Sequence, residues 1–530
     1  MFRPITLLIC LLLMSVKTPA QSSLPIIEIK ADRTMIYPQR IELTGQESLM
    51  DMLQMVPELM IAGYDELIDS YNLRIDNVPI SGDKRLILNQ MKAKDIERIQ
   101  VCDNTGVAKG TIGLGKVLDI NMKISTGLNG FAEGQADFGK DVQENGTVNA
   151  VYGSKGTDIY ANAAYLYGEA NREHVTFHMT NRFDDRNKLL TYFTQQHIEQ
   201  PNNNDELKVM GRARYFHTFN DAGTELLLLG GYQYTSSHLV TNRLPIYVIE
   251  LNTPLFTDKL SMMLGAEGDF PMTRQKSGDR HWRTFNNDIY LQFTYSLPRW
   301  RFTAGNRIMY YSYRVADDTD SRDYDDIRNN TNACVIFLPD DRNQLQLGYY
   351  RKYYNPAQDD LFLNTVSLAQ DQWSVIRHKL DQRDINQVKL AYAYSKPQLT
   401  VQTEASYYIV EGDDNFTRVF ASAYWKAKNL TLTGGVNLHI ARDDSYASLR
   451  LAPTLNLPHT WQIGMQMVYY TGKAPYREEY GTPVYGCLSV NKQLGTHWHM
   501  GLDWHDMFDA WSSDAKVNRH AANLKLQYRF

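Results

Sequence analysis

A cluster of potential metal ligands lies near the carboxyl end of the chain. His497, His499, Asp503 and His505 alternate with apolar residues in a single extended segment. Neutral imidazoles suit transition metals. Positions two apart on a strand are about 7 Å apart along it, however, so one strand does not bring more than two of these side chains to one ion. The pattern favours a polar wall, and we predict no metal site.

A glycine-rich stretch comes close to a phosphate-binding loop. Gly110, Gly115 and Lys116 have its spacing, but Val117 occupies the position of the hydroxyl that would hold Mg²⁺. A strand rather than a helix is predicted to follow. The sequence also contains no HExxH, GxSxG or CxxC motif. We therefore expect no catalytic residues, no cofactor and no enzyme activity.

Composition narrows the class of protein further. The 530 residues include 55 basic and 60 acidic side chains, for a net charge of −5, so no cationic excess is available to bind nucleic acid. The 34 Tyr, 19 Phe, 8 Trp and 33 Gly favour many twisted strands over a helical bundle. Four cysteines exclude a disulfide scaffold.

The first 20 residues are typical of a secretory signal peptide. Arg3 precedes an apolar run over Ile5–Val16, and Ala20 is a small residue before the predicted cleavage point. The run is shorter than the roughly 20 residues of a membrane-spanning helix. No later stretch reaches 18 apolar residues, which leaves a soluble all-β protein or a closed transmembrane barrel.

Period-two alternation begins near Gly127 and continues to the end of the chain. Segments of 10 to 14 residues, such as Leu430–Ile440, place apolar side chains on one wall and polar ones on the other. Turn clusters rich in Gly, Pro, Asn and Asp separate them. The pattern predicts about 22 antiparallel strands over residues 125–530, including less regular ones at 187–199 and 244–252. Longer connections are expected at Pro271–Trp282, Ala316–Asp326, Asn355–Asp384, Gly472–Gly481 and Asp509–Asn518.

The charge distribution orients the two walls. The apolar walls carry no charge, whereas the opposite walls hold Asp503, Lys525 and Glu404. A cation facing lipid at mid-depth costs about 2–4 kcal/mol, so the apolar walls should face hydrocarbon and the polar walls a lumen. The last strand alternates up to Phe530, and a terminal aromatic residue of this kind is similar to the insertion signal of outer-membrane barrels.

Residues 24–124 differ in composition and pattern from the rest of the chain, with few aromatic residues and short predicted helices and strands. Thr44 and Glu47 have capping-box spacing, and a helix is expected to follow and to end at Pro57. Asp76-Asn77 predicts a hairpin turn. Strands are predicted from Asp95 to Val101 and from Val117 to Lys123. A globule of about 100 residues is a reasonable domain.

These segments carry a family resemblance. Ser48–Pro57, Leu73–Pro79, Lys94–Val101 and Gly110–Ile120 resemble, in this order, the plug motifs of TonB-dependent outer-membrane receptors. Leu24–Arg33 is similar to their TonB box and the residues after it. The chain departs from the family pattern at several plug positions, including Cys102-Asp-Asn-Thr105, Asn77, Lys116 and Asp119.

The resemblance implies an all-β transmembrane barrel of about 22 antiparallel strands with a small α+β plug domain inside its lumen. The implied domains are a signal peptide (1–20), an amino-terminal segment with a TonB box (21–33), a plug domain (34–124) and the barrel (125–530). Residues Ile26, Ile27, Glu28, Ile29 and Lys30 would contact TonB by adding to its sheet, or would instead be the first strand of the plug. Ligand would bind near Ile80–Leu86, through Ser81, Asp83, Lys84 and Arg85.

The implied function is TonB-dependent import of an unidentified nutrient, a siderophore, glycan, peptide or vitamin, across the outer membrane. Both termini would then be periplasmic. The partners would be a TonB-type energy-transducing protein and outer-membrane lipid, with a surface lipoprotein as a further candidate and no nucleic acid. The alternative is a plugged barrel that no longer transports and serves as a docking or assembly platform.

Overall fold

A closed antiparallel barrel encloses a small mixed sheet. The computed structural model describes residues 26–30, 33–40, 47–54, 72–76, 78–79, 84–102, 117–123, 127–138, 143–168, 171–200, 205–276, 281–316, 321–354, 383–410, 415–442, 445–472, 483–507 and 521–530. Among these residues, no helix is long and apolar enough to cross a membrane.

The plug domain is built on six short strands. They are β1 (Ile27–Lys30), β2 (Arg33–Ile36), β3 (Asn72–Ile75), β4 (Val78–Pro79), β5 (Ile96–Cys102) and β6 (Val117–Met122), in the spatial order β1-β2-β5-β6-β3-β4. All neighbours are antiparallel except the parallel pair β3 and β6. Two helices, α1 (Leu49–Gln54) and α2 (Lys84–Gln90), pack against each other, and 3₁₀ turns occupy Pro38–Arg40 and Ala93–Asp95.

Most of the predicted plug elements are confirmed. The hairpin turn lies between β3 and β4, and its left-handed residue is Asp76, with φ of 48°. The turn and strand predicted from Asp95 to Val101 correspond to the 3₁₀ turn and β5. A helix follows the predicted cap as α1, whereas Thr44, Pro57 and the glycine-rich stretch over 110–116 lie outside the described residues.

The barrel consists of strands β7–β29. Their bounds are β7 Gly127–Phe138, β8 Gln143–Gly153, β9 Thr157–Tyr167, β10 Asn171–Arg182, β11 Asn187–Glu199, β12 Glu206–Thr218, β13 Glu225–Ser236, β14 Val240–Leu255, β15 Thr257–Asp269, β16 Met272–Gln275, β17 His281–Ser296, β18 Trp300–Ala316, β19 Ser321–Phe337, β20 Asn343–Tyr354, β21 Arg383–Lys396, β22 Leu399–Val410, β23 Phe416–Ala427, β24 Leu430–Ile440, β25 Tyr446–Leu457, β26 Trp461–Gly472, β27 Val484–Leu494, β28 Trp498–His505 and β29 Ala521–Arg529.

The predicted strand number is confirmed. Strands β15 and β16 both pair with β14 and β17, so they occupy a single position interrupted at Phe270-Pro271, and the barrel has 22 strand positions. Strand β29 pairs with β7 to close it. Backbone hydrogen bonds of 3.1 and 3.2 Å between Phe530 and Gly130 extend this closure to the last residue.

Two predicted connections are wrong. Ala316–Asp326 was expected as a loop, but β19 already begins at Ser321, and Pro271–Trp282 contains β16 and the start of β17. Beyond an apolar belt both walls of a strand can meet water, so a ladder continues there without the alternation that revealed the other strands. The irregular strands predicted at 187–199 and 244–252 are confirmed as β11 and part of β14.

The two walls have the predicted polarity. Leu502, Leu524 and Leu526 point outward and are 45–48% exposed. Between them, Asp503 and Lys525 point inward and form an ion pair of 2.7 Å. Because successive side chains of a strand alternate, this inward pairing fixes the register that keeps charge off the outer wall.

The barrel has a turn end and a loop end. At the turn end, where the chain passes from β6 into β7, short turns join the strands, as at 154–156, 297–299 and 428–429. The opposite, loop end includes the longer connections between β20 and β21 and between β28 and β29. Strand β6 runs toward the turn end, and therefore the parallel β3 does too, which places Asp76 near that end.

Candidate functional site

The junction between the plug domain and the barrel wall is the candidate functional site, because it is where any movement of the plug must begin. Part of it is apolar. The buried core of the plug continues onto four side chains of the wall, Leu190, Tyr192, Met210 and Tyr424. This shared core packs the plug against strands β11 and β12 and, on the opposite side of the barrel, against β23.

A buried ion pair fastens the plug to the first barrel strand. Lys92 lies between α2 and the 3₁₀ turn, and its Nζ donates to Oε2 of Glu133 on β7 at 2.6 Å. Both side chains are less than a tenth exposed. Each charge would be costly to bury alone, so the pair constrains where this part of the plug can sit.

A second polar contact joins the β3–β4 turn to the wall. Asp76 Oδ2 lies 3.6 Å from Nε2 of His178 on β10, and Lys188 on β11 also acts on it electrostatically. Burial raises the pKa of Asp76 from 3.8 to about 6, whereas Lys188 and the hydrogen bond from the Met122 N–H lower it. This carboxyl group therefore titrates close to physiological pH.

The segment predicted to contact TonB forms an edge strand of the plug sheet. Strand β1 pairs with β2 on one side only, and Ile26 and Ile27 are buried in the plug core. Glu28 accepts a 2.8 Å ion-pair contact from Arg40 within the plug. The interpretation as the first plug strand thus describes its place in the sheet, and its contact with TonB stays a prediction.

The outer edge of β1 faces the barrel wall near the turn end. Tyr37 donates its N–H to the Ile26 carbonyl, so the backbone groups of Ile26 and Glu28 point toward β2 and those of Ile27 and Ile29 point outward. The Ile27 carbonyl accepts a 3.0 Å hydrogen bond from Ser395 at the end of β21. This bond ties the edge strand to the wall.

The predicted ligand-contacting residues are only partly described. Lys84 and Arg85 open helix α2, whereas Ser81 and Asp83 lie outside the described residues. Strand β4 is antiparallel to β3 and therefore runs toward the loop end. Ligand contact by Ser81, Asp83, Lys84 and Arg85 stays a prediction.

The histidines near the carboxyl end do not converge on one point. His499 is buried on the inner wall, Asp503 is paired with Lys525, and Nδ1 of His505 lies 3.5 Å from the Cys487 sulfur. Within the described part of the chain, no group of three or more His, Cys, Asp or Glu side chains is placed to hold a metal ion.

No local sequence pattern identifies the junction residues. Lys92, Glu133 and His178 belong to no motif, and Asp76 lies in the Leu73–Pro79 motif without being marked there as a contact residue. Each contact joins the plug to a barrel strand farther along the chain. Hairpin spacing pointed to Asp76 as a turn residue only.

Comparisons with solved structures settle the fold. The chain is similar to the siderophore receptor PirA from Pseudomonas aeruginosa, with a TM-score of 0.70 and 12% identity over 95% of this chain and 100% of that one. It is similarly related to the ferric-catecholate import receptor Fiu from E. coli, with a TM-score of 0.69 and 12% identity over 95% and 97% of the two chains. The chain has the fold of the TonB-dependent receptors.

The same fold is found in a second PirA, the siderophore receptor from Acinetobacter baumannii, with a TM-score of 0.68 and 9% identity over 94% of this chain and 98% of that one. No family model and no curated protein matches the sequence. At such identities the TonB-dependent receptor fold is shared while most side chains differ, so individual residue roles have to come from this chain's own contacts.

Proposed function

We propose that this protein is a TonB-dependent receptor that imports a nutrient across the outer membrane. The observation that carries the proposal is a plug sheet fastened inside a closed 22-position barrel by polar contacts beside a limited apolar one. A plug that fills the lumen but is held by contacts that can separate is suited to gated passage. A pore without a plug would leak, and a fully apolar plug–wall contact would resist release.

The outer wall supports an outer-membrane location. Its exposed Leu, Ile, Val and aromatic side chains would be unfavourable in water and suit hydrocarbon. In this proposal the turn end, with the chain's entry into the barrel, faces the periplasm, and both termini are periplasmic. The loop end faces outward, and ligand binds there near Ser81, Asp83, Lys84 and Arg85.

The energy-transducing partner would act on the edge strand. We propose that a TonB-type protein engages residues Ile26–Lys30, whose strand is bonded within the sheet on one side only. Force applied to β1 would first break the Ser395 contact and then peel β1 from β2. A non-transporting docking platform is not favoured, because no feature of the described junction makes the plug a permanent part of the wall.

The first test is energised uptake in whole cells. Since the similar receptors are named for siderophores, iron-55 delivered as ferric siderophore complexes is the first panel to use. We expect accumulation that requires both a TonB-type protein and the proton motive force. Deletion of Leu24–Lys30 should abolish accumulation while the barrel still inserts. Accumulation that continues without TonB, or unchanged TonB binding after the deletion, would contradict the proposal.

A further inference from the structure

One sector of the plug–wall junction encloses a chamber of about 230 Å³. It lies near the turn end, between plug strands β5 and β6 and barrel strands β8–β12. Phe216 and Tyr160 supply part of its lining. The charged residues of the lining are four cations and three carboxylates, namely Arg98, Lys123, Arg182, Lys188, Asp76, Glu97 and Asp158.

Two carboxylates of the chamber already have partners. Asp158 forms an ion pair with Arg182. Asp76 accepts the Met122 N–H at 3.1 Å and faces His178. With four cations against three carboxylates, the lining has an excess of one positive charge. His178 adds a buried ring whose Nε2 has no hydrogen-bond partner within the described residues.

Three arginines extend this positive region toward the middle of the barrel. Arg212 and Arg214 point inward from β12, and Arg74 of plug strand β3 acts electrostatically on both. Lys188 of the chamber is also within electrostatic reach of Arg214. Opposite charge is supplied by Asp119 and Glu250, but the Glu250 carboxylate already accepts a 2.8 Å hydrogen bond from Tyr290.

Two of the three guanidinium nitrogens of Arg214 lack acceptors among the described residues. The residue is only 7% exposed, and its guanidinium carbon lies 4.3 Å from the centre of the Phe216 ring. Its Nε and Nη1 are buried without a hydrogen-bond partner in the described part of the chain. Leaving a buried charged donor unsatisfied is costly. An acceptor from outside the protein would remove that cost.

We propose that Arg214, together with Arg74, Arg212 and Lys188, forms a binding site for an oxyanion, a carboxylate or phosphate group, in the turn-end half of the plug–wall junction. A planar guanidinium matches such a group with two parallel hydrogen bonds. The neighbouring cations offset its charge. Arg214 does not line the chamber itself, but the Phe216 ring against which it lies does, and so does Lys188, so the chamber borders the site. An oxyanion at this place bridges plug and wall through Arg74 on one side and β12 on the other.

The source of the oxyanion is either a free ion or an acidic group of a transported ligand. The second source rests on the proposed function, because the ligand would reach this sector only by passing between plug and wall. In that case an acidic ligand would pass along the side of the plug that faces β10–β12, where the site lies. The site itself requires no transport.

Titration of the purified full chain in detergent with inorganic phosphate tests the site. Calorimetry against chloride at equal ionic strength should show phosphate binding that is weakened at least tenfold in Arg214→Gln. Arg214→Lys keeps the charge but loses the paired donors, so intermediate affinity is expected. Arg186→Gln is the matched control, since Arg186 lies in an exposed turn at the same end and pairs with Asp221.

Two results would contradict the proposed oxyanion site. Wild-type affinity in Arg214→Gln, or no phosphate binding beyond that of chloride, overturns the site, and water would then satisfy Arg214. Folding of each variant is checked by heat-modifiable gel mobility. Citrate titrated in the same way identifies the source, because a site for an acidic group of a larger ligand binds both anions and a free-ion site binds phosphate alone. Neither titration needs TonB, so failure of this site is distinguishable from failure of import.

Discussion

The free-energy cost of burying a charged side chain at the plug–wall junction depends on whether its partner is present. Lys92 and Glu133 are both buried. In such a pair the attraction is largely offset by the cost of removing both charges from water. Removing only one of them leaves an uncompensated buried charge. Such a pair specifies position more than it adds stability, which suits a domain that must be seated accurately and still be releasable.

Lys92→Met should loosen the plug. Glu133 would keep its charge in a buried site without its cation, at a cost of about 3–5 kcal/mol to plug docking. Hydrogen exchange measured by mass spectrometry over residues 84–102 should show faster exchange. The double variant Lys92→Met/Glu133→Leu should recover most of the protection, and a double variant no better than the single one would show that the pair is not responsible.

The matched control is Arg40→Met. Arg40 and Glu28 form an ion pair of 2.8 Å within the plug, and both are more than a fifth exposed. A partly exposed pair contributes at most about 1 kcal/mol. Exchange over residues 84–102 should therefore change little in this variant.

Asp76 makes plug docking depend on pH. Its pKa is raised by burial from 3.8 to about 6, so between these values the folded protein binds more protons than the unfolded chain. Stability from this group is therefore greatest at low pH, falls as the pH rises through this window, and is flat above it. The groups facing it are Lys188, His178 and Asp119.

The test is to compare wild type with Asp76→Asn. After correction for intrinsic exchange rates, wild-type protection of residues 72–79 should decrease from pH 5 to pH 7 by about 1.3 kcal/mol. The variant, which cannot ionise, should lack this decrease and be the better protected of the two at pH 7. Parallel pH profiles would show that another group is responsible.

At the scale of the element, β1 combines two properties that are usually separate. Ile26 and Ile27 anchor it in the plug core, yet its outer edge keeps the backbone groups of Ile27 and Ile29 outside the sheet. An edge strand of this kind can accept a further strand. The Ser395 hydrogen bond to Ile27 is the contact that an added strand would have to replace.

Ile29→Pro should separate these two properties. Proline at this position removes an N–H that points outward, so pairing of β1 with β2 persists, while bonding of an added strand is blocked. Binding of a purified TonB carboxyl-terminal domain, measured by calorimetry, should weaken at least tenfold. Ile29→Ala keeps the N–H and should bind nearly normally. Equal binding of both variants would exclude the outer edge as the contact.

Sequence reasoning succeeded where each element carries its own signal. Strands such as Leu430–Ile440 have chemically distinct walls, and their alternation alone predicts their position and orientation. The start of β19 at Ser321 was missed, because polar residues occupy both of its walls there. The junction was missed for another reason, since contacts such as Lys92–Glu133 depend on how the plug is seated and leave no local pattern.

At the scale of the whole molecule, the barrel wall is one strand layer thick and separates hydrocarbon on its outer face from the polar lumen on its inner face. The inward pairs Lys525–Asp503 and Lys389–Glu404, at 2.7 and 2.8 Å, lie one residue away from outward apolar side chains. Pairing of β29 with β7 closes the barrel, so neither of these two strands is left as an unpaired edge. The barrel can therefore hold a charged lumen inside hydrocarbon without exposing backbone polar groups to it.

Leu502→Arg should measure directly what surrounds the barrel. Leu502 lies mid-strand in β28 and is 48% exposed on the outer wall, so in a bilayer its replacement by a cation should cost about 2–4 kcal/mol. Urea unfolding in phospholipid vesicles, followed by the fluorescence of the chain's tryptophans, gives this value. Leu502→Ala loses only apolar contact and should cost less. Equal costs for the two variants would mean that water, rather than lipid, meets this wall, and the receptor proposal would fail with it.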